Sequence, residues 1–195
     1  MKVVSIFKKG IRCLGIAESF SQKLWNRSIL AGVVMRSDLI IDGAAFTTIE
    51  VGGLDSTEGI IRLFKKLKRK DINFLLINGT IIALYNVIDL NAIYEELRIP
   101  LVSVTYEESR GIEDNLRKLP LAERRLEIYK RNGGREEVVL KTGYKIFVRR
   151  IGLNLMEVRL LLNKFVREGA IPEPLRVAKL IARAALTGLA GALNE

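Results

Sequence analysis

The chain has 195 residues, 49% hydrophobic and 28% charged, with a formal net charge of +10; this length suits one domain, or one with an appendage. It contains no histidine and one cysteine, Cys13, which excludes Ser-His-Asp triads, histidine-ligated zinc and an internal disulfide. The basic excess points to a polyanionic partner, DNA or RNA, because basic surfaces release counterions from nucleic acid, although excess lysine that only aids solubility gives the same composition.

Arg12–Glu18 reads as a first strand, with Cys13 as buried filler. A polar connection holding Trp25 leads to an apolar strand over Ser28–Met35. After the turn at Arg36-Ser37-Asp38, a third strand spans Leu39–Val51, with a break near Asp42-Gly43. Three strands on short links read as an antiparallel meander. The period then changes. Asp55 or Ser56 is positioned to cap a helix with Glu58 in its first turn, and Ile60, Ile61, Leu63, Phe64 and Leu67 recur at helical spacing. The opposite face carries Arg62, Lys65, Lys66, Lys68, Arg69 and Lys70, either a solvated outer face or a surface for phosphate.

Phe74-Leu75-Leu76-Ile77-Asn78-Gly79 is the stretch around which the chain is organised. A continuous apolar run suits a strand buried on both faces, and the end of such a strand borders a ligand crevice in open α/β sheets. Asn-Gly between apolar runs is equally a hairpin turn, with Phe74–Ile77 and Thr80–Tyr85 as its arms. A short helix over Asp89–Leu97 and a strand over Pro100–Thr105 follow, calling for right-handed parallel crossovers. Glu107–Gly134 reads as helical, broken at Leu119-Pro120. Val138–Leu140 and Lys145–Ile151 form a hairpin around Thr142-Gly143, and Asn154 caps a helix running to Glu168. Ile171-Pro172-Glu173-Pro174 opens the last helix. A single domain over 1–195 is expected, with a weak boundary near 131–135. No run of about 18 apolar residues is present, so no membrane span is expected. Nothing at the N-terminus resembles a signal peptide, and a cytoplasmic location is expected.

A meander, a helix, then parallel strands alternating with helices is the order of a ribonuclease H-like mixed sheet flanked by helices. In that order Ala17 falls beside Asn78. Leu14-Gly15-Ile16-Ala17-Glu18, Val51–Glu58, Leu75–Gly79, Asn86-Val87-Ile88-Asp89 and Ile171–Ala178 resemble an archaeal family of proteins related to endonuclease V. Abundant Lys, Arg and Glu with a single glutamine, Gln22, agrees with a thermophilic source.

The resemblance implies a magnesium- or manganese-dependent site of three carboxylates, falling on Ala17, Glu58 and Asn78. Two of the three are therefore replaced, and Glu58 alone keeps its charge. The archaeal relatives carry paired aspartates where this chain has Ala17 and Glu18, so Glu18 is a second candidate ligand. Alanine offers no ligand, and an asparagine oxygen brings no charge to a hard dication. Each acid also has a plainer role: Glu58 eases a helix dipole, Asp55 and Asp89 cap helices, Glu173 opens one, and Asp42 sits in a turn. Arg176 is a phosphate contact or a surface ion-pair residue.

Three readings follow. The first is a nucleic-acid-binding protein whose metal site is degenerate, with Lys65, Lys66, Arg69 and Arg176 as contacts. The second is an active nuclease with shifted ligands, Glu18, Glu58 and Asp89. The third is a scaffold or homodimer that docks through Ala178–Leu193. No phosphate loop or Gly-x-Gly-x-x-Gly motif supports a nucleotide cofactor.

Overall fold

Apolar runs buried on both faces set the first two strands. A computed structural model describes residues 10–21, 26–108 and 111–192; the N-terminal stretch, Trp25 and Leu193 lie outside the described residues. Strands β1 (Arg12–Ser19), β2 (Arg27–Arg36) and β3 (Ile41–Glu50) form the expected meander. The break near Asp42-Gly43 is a register shift, with Val34 opposite Gly43 and Met35 opposite Ile41. β3 starts two residues later than the pattern suggests because Leu39 takes a left-handed φ of 65° and closes the turn onto the Arg36 carbonyl.

Helix α1 (Ser56–Leu67) buries Ile60 and Leu63 and ends at Lys68, in the left-handed region. β4 (Phe74–Asn78) pairs in parallel with β1 on one side and with β7 (Leu101–Thr105) on the other. The apolar run is thus the central strand and not a hairpin arm. A short antiparallel pair, β5 (Ile81–Ile82) and β6 (Asn86–Val87), follows it. Their link, Ala83-Leu84-Tyr85, has left-handed φ values of 41°, 58° and 67°. Helix α2 (Leu90–Leu97) is capped by Asp89, whose carboxylate accepts from the Ala92 N–H at 3.0 Å.

The segment expected to be helical over 107–134 is two shorter helices, α3 (Glu113–Leu116) and α4 (Ala122–Arg131). The break at Leu119-Pro120 extends through Leu121, which is left-handed at φ 56°. β8 (Glu136–Val139) and β9 (Lys145–Ile151) form the expected hairpin. Helix α5 (Leu155–Phe165) opens on a reciprocal capping box between Asn154 and Glu157. It stops three residues before Glu168, because Val166 turns extended and buries its side chain in the core. Helix α6 (Glu173–Ala192) starts directly after Pro172.

The sheet order is β3-β2-β1-β4-β7-β9-β8, so the strands beyond 131–135 join the same sheet as those before it. Leu14 and Ile16 of β1 pack with Ile60, Leu63 and Ile93 on one face. Cys13 and Ala17 pack with Phe165, Leu175 and Ala178 on the other. Gly15 lies beneath the first turn of α6: a Cβ there would stand 2.4 Å from Pro174 Cβ and 2.5 Å from its carbonyl carbon. Among the described residues, no helix is long and apolar enough to cross a membrane.

An ion cluster holds the far end of the sheet. Asp42, at the β3 bulge, meets Arg12 at 2.5 Å and Arg69 at 2.9 Å, and Asp71 meets Arg69 at 2.7 Å. The hydrogen bond from Arg69 pulls the Asp71 carboxyl from 3.8 down to about 2. A depressed folded-state pKa gives stability that is present above the unfolded value and is lost as pH falls through the folded one. The urea midpoint is therefore expected to fall between about pH 4 and pH 2. The Asp71→Asn variant should flatten that slope, modestly because Asp71 is 46% exposed. An identical slope in the variant would remove the cluster from the acid response.

Candidate functional site

Parallel pairing builds the site. Ile16 of β1 lies opposite Ile77 of β4, so one step further Ala17 sits beside Asn78 at the C-terminal strand ends. Asn78 is in turn opposite Val104 of β7. Ala17 is 2% exposed and packs against α6. The Glu18 carboxylate accepts a 2.8 Å hydrogen bond from Ser28 Oγ, and its Oε1 lies 3.9 Å from Lys179 Nζ. Lys179 also donates to the Glu18 carbonyl at 2.5 Å. An ammonium from α6 thus lies over the end of β1.

Glu58 is exposed in the first turn of α1, the helix that packs on the Leu14–Ile16 face. Ala17 faces the opposite layer. Asp55 occupies the N-cap position of α1 without a capping bond; its carboxylate accepts from the Glu50 N–H at 3.0 Å and from Asn86 Nδ2 at 2.9 Å. Asp89 is engaged by its own helix and lies 3.4 Å from Arg131. Among the described residues, no three acidic or thiol side chains converge on one point where a metal ion could be held.

Asn78 stands between two cavities. One, of about 320 Å³, is bordered by Tyr106, Arg176, Lys179 and Arg183. Arg176 is paired with Glu173 at 2.5 Å, which raises its pKa. The other, of about 360 Å³, is bordered by Tyr106, Tyr129, Arg135 and Arg149. Lys65, Lys66 and Arg69 do not join either one. They lie at the C-terminal end of α1, whose connection leads to the start of β4, at the opposite end of the sheet from Asn78. There Lys65 meets Glu96 at 2.6 Å, Lys66 donates to the Phe46 carbonyl at 3.1 Å, and Arg69 is held by Asp42 and Asp71.

The sequence reading missed four basic residues. Lys179 and Arg183 carried a signal, since Arg176, Lys179 and Arg183 fall at i, i+3 and i+7 on one helix face. Arg125 and Arg149 carried none, because their roles arise only through tertiary contacts. Arg125 is 4% exposed and donates to the carbonyls of Gly52, Gly53, Tyr85 and Pro120 at 2.6, 2.9, 2.6 and 3.0 Å. It ties the loop that starts α1, and hence Glu58, to the left-handed link and to α4.

A meander continued by parallel strands, with helices on both faces and a crevice at the C-terminal ends of β1 and β4, defines a ribonuclease H-like protein. Solved structures share this fold. A crystal structure of a protein of unknown function from Archaeoglobus fulgidus superimposes with a TM-score of 0.79 at 26% identity, over 90% of this chain and 98% of that one. Endonuclease V of Ciona intestinalis, in complex with a 24mer DNA containing an inosine, superimposes with a TM-score of 0.65 at 15% identity, over 93% and 88%. The chain belongs to the endonuclease dU family, whose model matches residues 9–186. The UPF0215 protein of Pyrobaculum aerophilum is 36% identical over 174 residues, covering 88% of this chain and 92% of that protein. The kinship to an archaeal family related to endonuclease V, expected from the motifs, is met.

Proposed function

We propose that this protein binds nucleic acid across the strand ends around Asn78 and has lost, or nearly lost, the metal-dependent cleavage of its fold relatives. One observation carries the reading. The adjacent strand ends present Ala17 and Asn78, both uncharged, and the neighbouring Glu18 already answers to Ser28 and Lys179. A magnesium ion needs anionic oxygens close by, and Glu58 is the one family carboxylate that remains. These donors fit a hard dication poorly. Arg176, Lys179 and Arg183 suit phosphate instead, through charge-assisted hydrogen bonds. The α1 patch of Lys65, Lys66 and Arg69 is a lesser contact on this reading, since it lies at the opposite end of the sheet from Asn78. The protein would work as a single domain in the cytoplasm.

Fluorescence anisotropy with labelled single- and double-stranded DNA and RNA, over a salt series, tests this. Binding at low salt is expected, unchanged by a chelator. Arg183→Ala should lower the slope of log affinity against log salt by about one. Absence of binding at low salt sinks the proposal. Cleavage of deoxyinosine DNA or inosine RNA in magnesium or manganese, lost in Glu58→Ala, would favour a working shifted set of Glu18, Glu58 and Asp89. A solution mass of two chains with no nucleic-acid affinity would favour the scaffold reading.

A further inference from the structure

The 320 Å³ cavity on the α6 side of Asn78 joins an unengaged amide, an apolar pair and a row of cations. Phe74 and Leu76 of β4 pack in the α6 layer, and Leu75 and Ile77 in the other. Alternation along the strand therefore turns Asn78 toward α6. Asn78 is half-buried, and among the described residues nothing hydrogen-bonds its side chain. One acceptor oxygen and two N–H donors are left for a ligand. The cavity on the β7 side is built from the opposite layer, where Arg149 braces the Gly133 carbonyl at 2.8 Å and Thr80 Oγ1 at 3.0 Å.

Leu180 and Ile171 form the apolar part of the α6 cavity, and they are 52% and 43% exposed. A single exposed leucine is ordinary. Leu180 is placed differently, four residues after Arg176 and three before Arg183, inside the cation stripe. A helix that met only phosphates would gain nothing from an apolar side chain there. The cations themselves remain open to a ligand. Arg176 and Lys179 have carboxylate neighbours in Glu173 and Glu18 but stay 51% and 43% exposed. Arg183 is exposed, and among the described residues no carboxylate meets it.

We infer that this cavity holds one unpaired base of a single strand, which rests on the nucleic-acid binding proposed above and gives it a ligand class. The face of the base lies on Leu180 and Ile171, its edge meets the Asn78 amide, and the flanking phosphates rest on Arg176, Lys179 and Arg183. The volume is at the small end of ligand sites, about 300–1,000 Å³, and suits one nucleotide rather than a duplex. An amide suits a base edge, since it donates and accepts side by side as the edge does. A base in a duplex is stacked and its pairing edge is occupied, so it enters such a cavity only after costly extrusion.

Fluorescence anisotropy of the full chain with three labelled probes of equal length tests this: a single strand, its duplex, and a strand of abasic sugar-phosphates. The single strand should bind at least about ten-fold more tightly than either of the others. Leu180→Ser should weaken single-strand binding about five-fold, with the salt slope and the duplex affinity unchanged. Ile171→Ser, outside the helix, should act in the same direction and serves if the first variant melts early. Asn78→Ala should lower single-strand affinity several-fold and leave the abasic strand unaffected. Equal affinity for all three probes, or unaltered single-strand binding in the serine variants, overturns the base site while strand binding stands. No binding of any probe at low salt removes both.

Discussion

Replacing Arg125 with methionine is expected to lower unfolding stability by about 3–5 kcal/mol, read as a large shift of the urea midpoint at constant slope. The guanidinium is the shared donor for the carbonyls of Gly52, Gly53, Tyr85 and Pro120. Methionine fills much of the volume but donates nothing, and a carbonyl left unpaired away from water costs about 1–3 kcal/mol. The effect reaches the site, because Gly52 and Gly53 lead into α1 and its Glu58. The same clamp holds Tyr85 in its left-handed conformation, where non-glycine residues are under strain. Arg124→Met, at an exposed neighbouring position, should stay within about 0.5 kcal/mol of the parent. If both variants unfold at the same urea concentration, the clamp does not hold the fold.

Gly15→Ala is the second large loss, expected at about 2–3 kcal/mol or more. The new methyl would stand 2.4 Å from Pro174 Cβ and 2.5 Å from the Pro174 carbonyl carbon. Backbone cannot swing aside as a flexible side chain can. Helix α6 would have to rise from β1, carrying Arg176, Lys179 and Arg183 with it, so strand affinity should fall in the molecules that still fold. Gly188→Ala, in the same helix, places its methyl in open space with nothing within 4 Å, and should instead stabilise by about 0.5–1 kcal/mol. Differential scanning calorimetry separates the two. A Gly15→Ala protein that melts at the parental temperature would mean that the helix does not press on the strand as described.

Periodicity and turn chemistry made most of the fold legible. The β1–β3 meander follows from three successive strand-like runs on short links, α1 from its apolar stripe, and α5 from Asn154 at its cap. Asn-Gly at 78–79 was ambiguous because either a hairpin or a strand end tolerates it; pairing of Phe74–Ile77 with distant strands decided it. The end of α5 was misplaced because burial of Val166 overrode local helical pattern. The 107–134 segment read as longer helix than it forms, since nothing local marks Leu121 for a left-handed turn. At the site, the neutral pair Ala17 and Asn78 was legible through motif and topology. Lys179 on the Glu18 carbonyl was not, because it joins residues 161 positions apart.

The arrangement of α6 also bears on how the chain is made. β1 leaves the ribosome well before α6, the helix that covers one of its faces. Until that helix emerges, the surface formed by Cys13, Ala17, Val33 and Met35 lacks one side of its cover. Nascent chains with such open apolar surfaces aggregate or recruit chaperones. A chain cut short before Glu173 would carry that surface permanently, along with the loss of Arg176, Lys179 and Arg183. Quality control would therefore meet an incomplete copy as a sticky fragment, still basic but without the three cations at the strand ends.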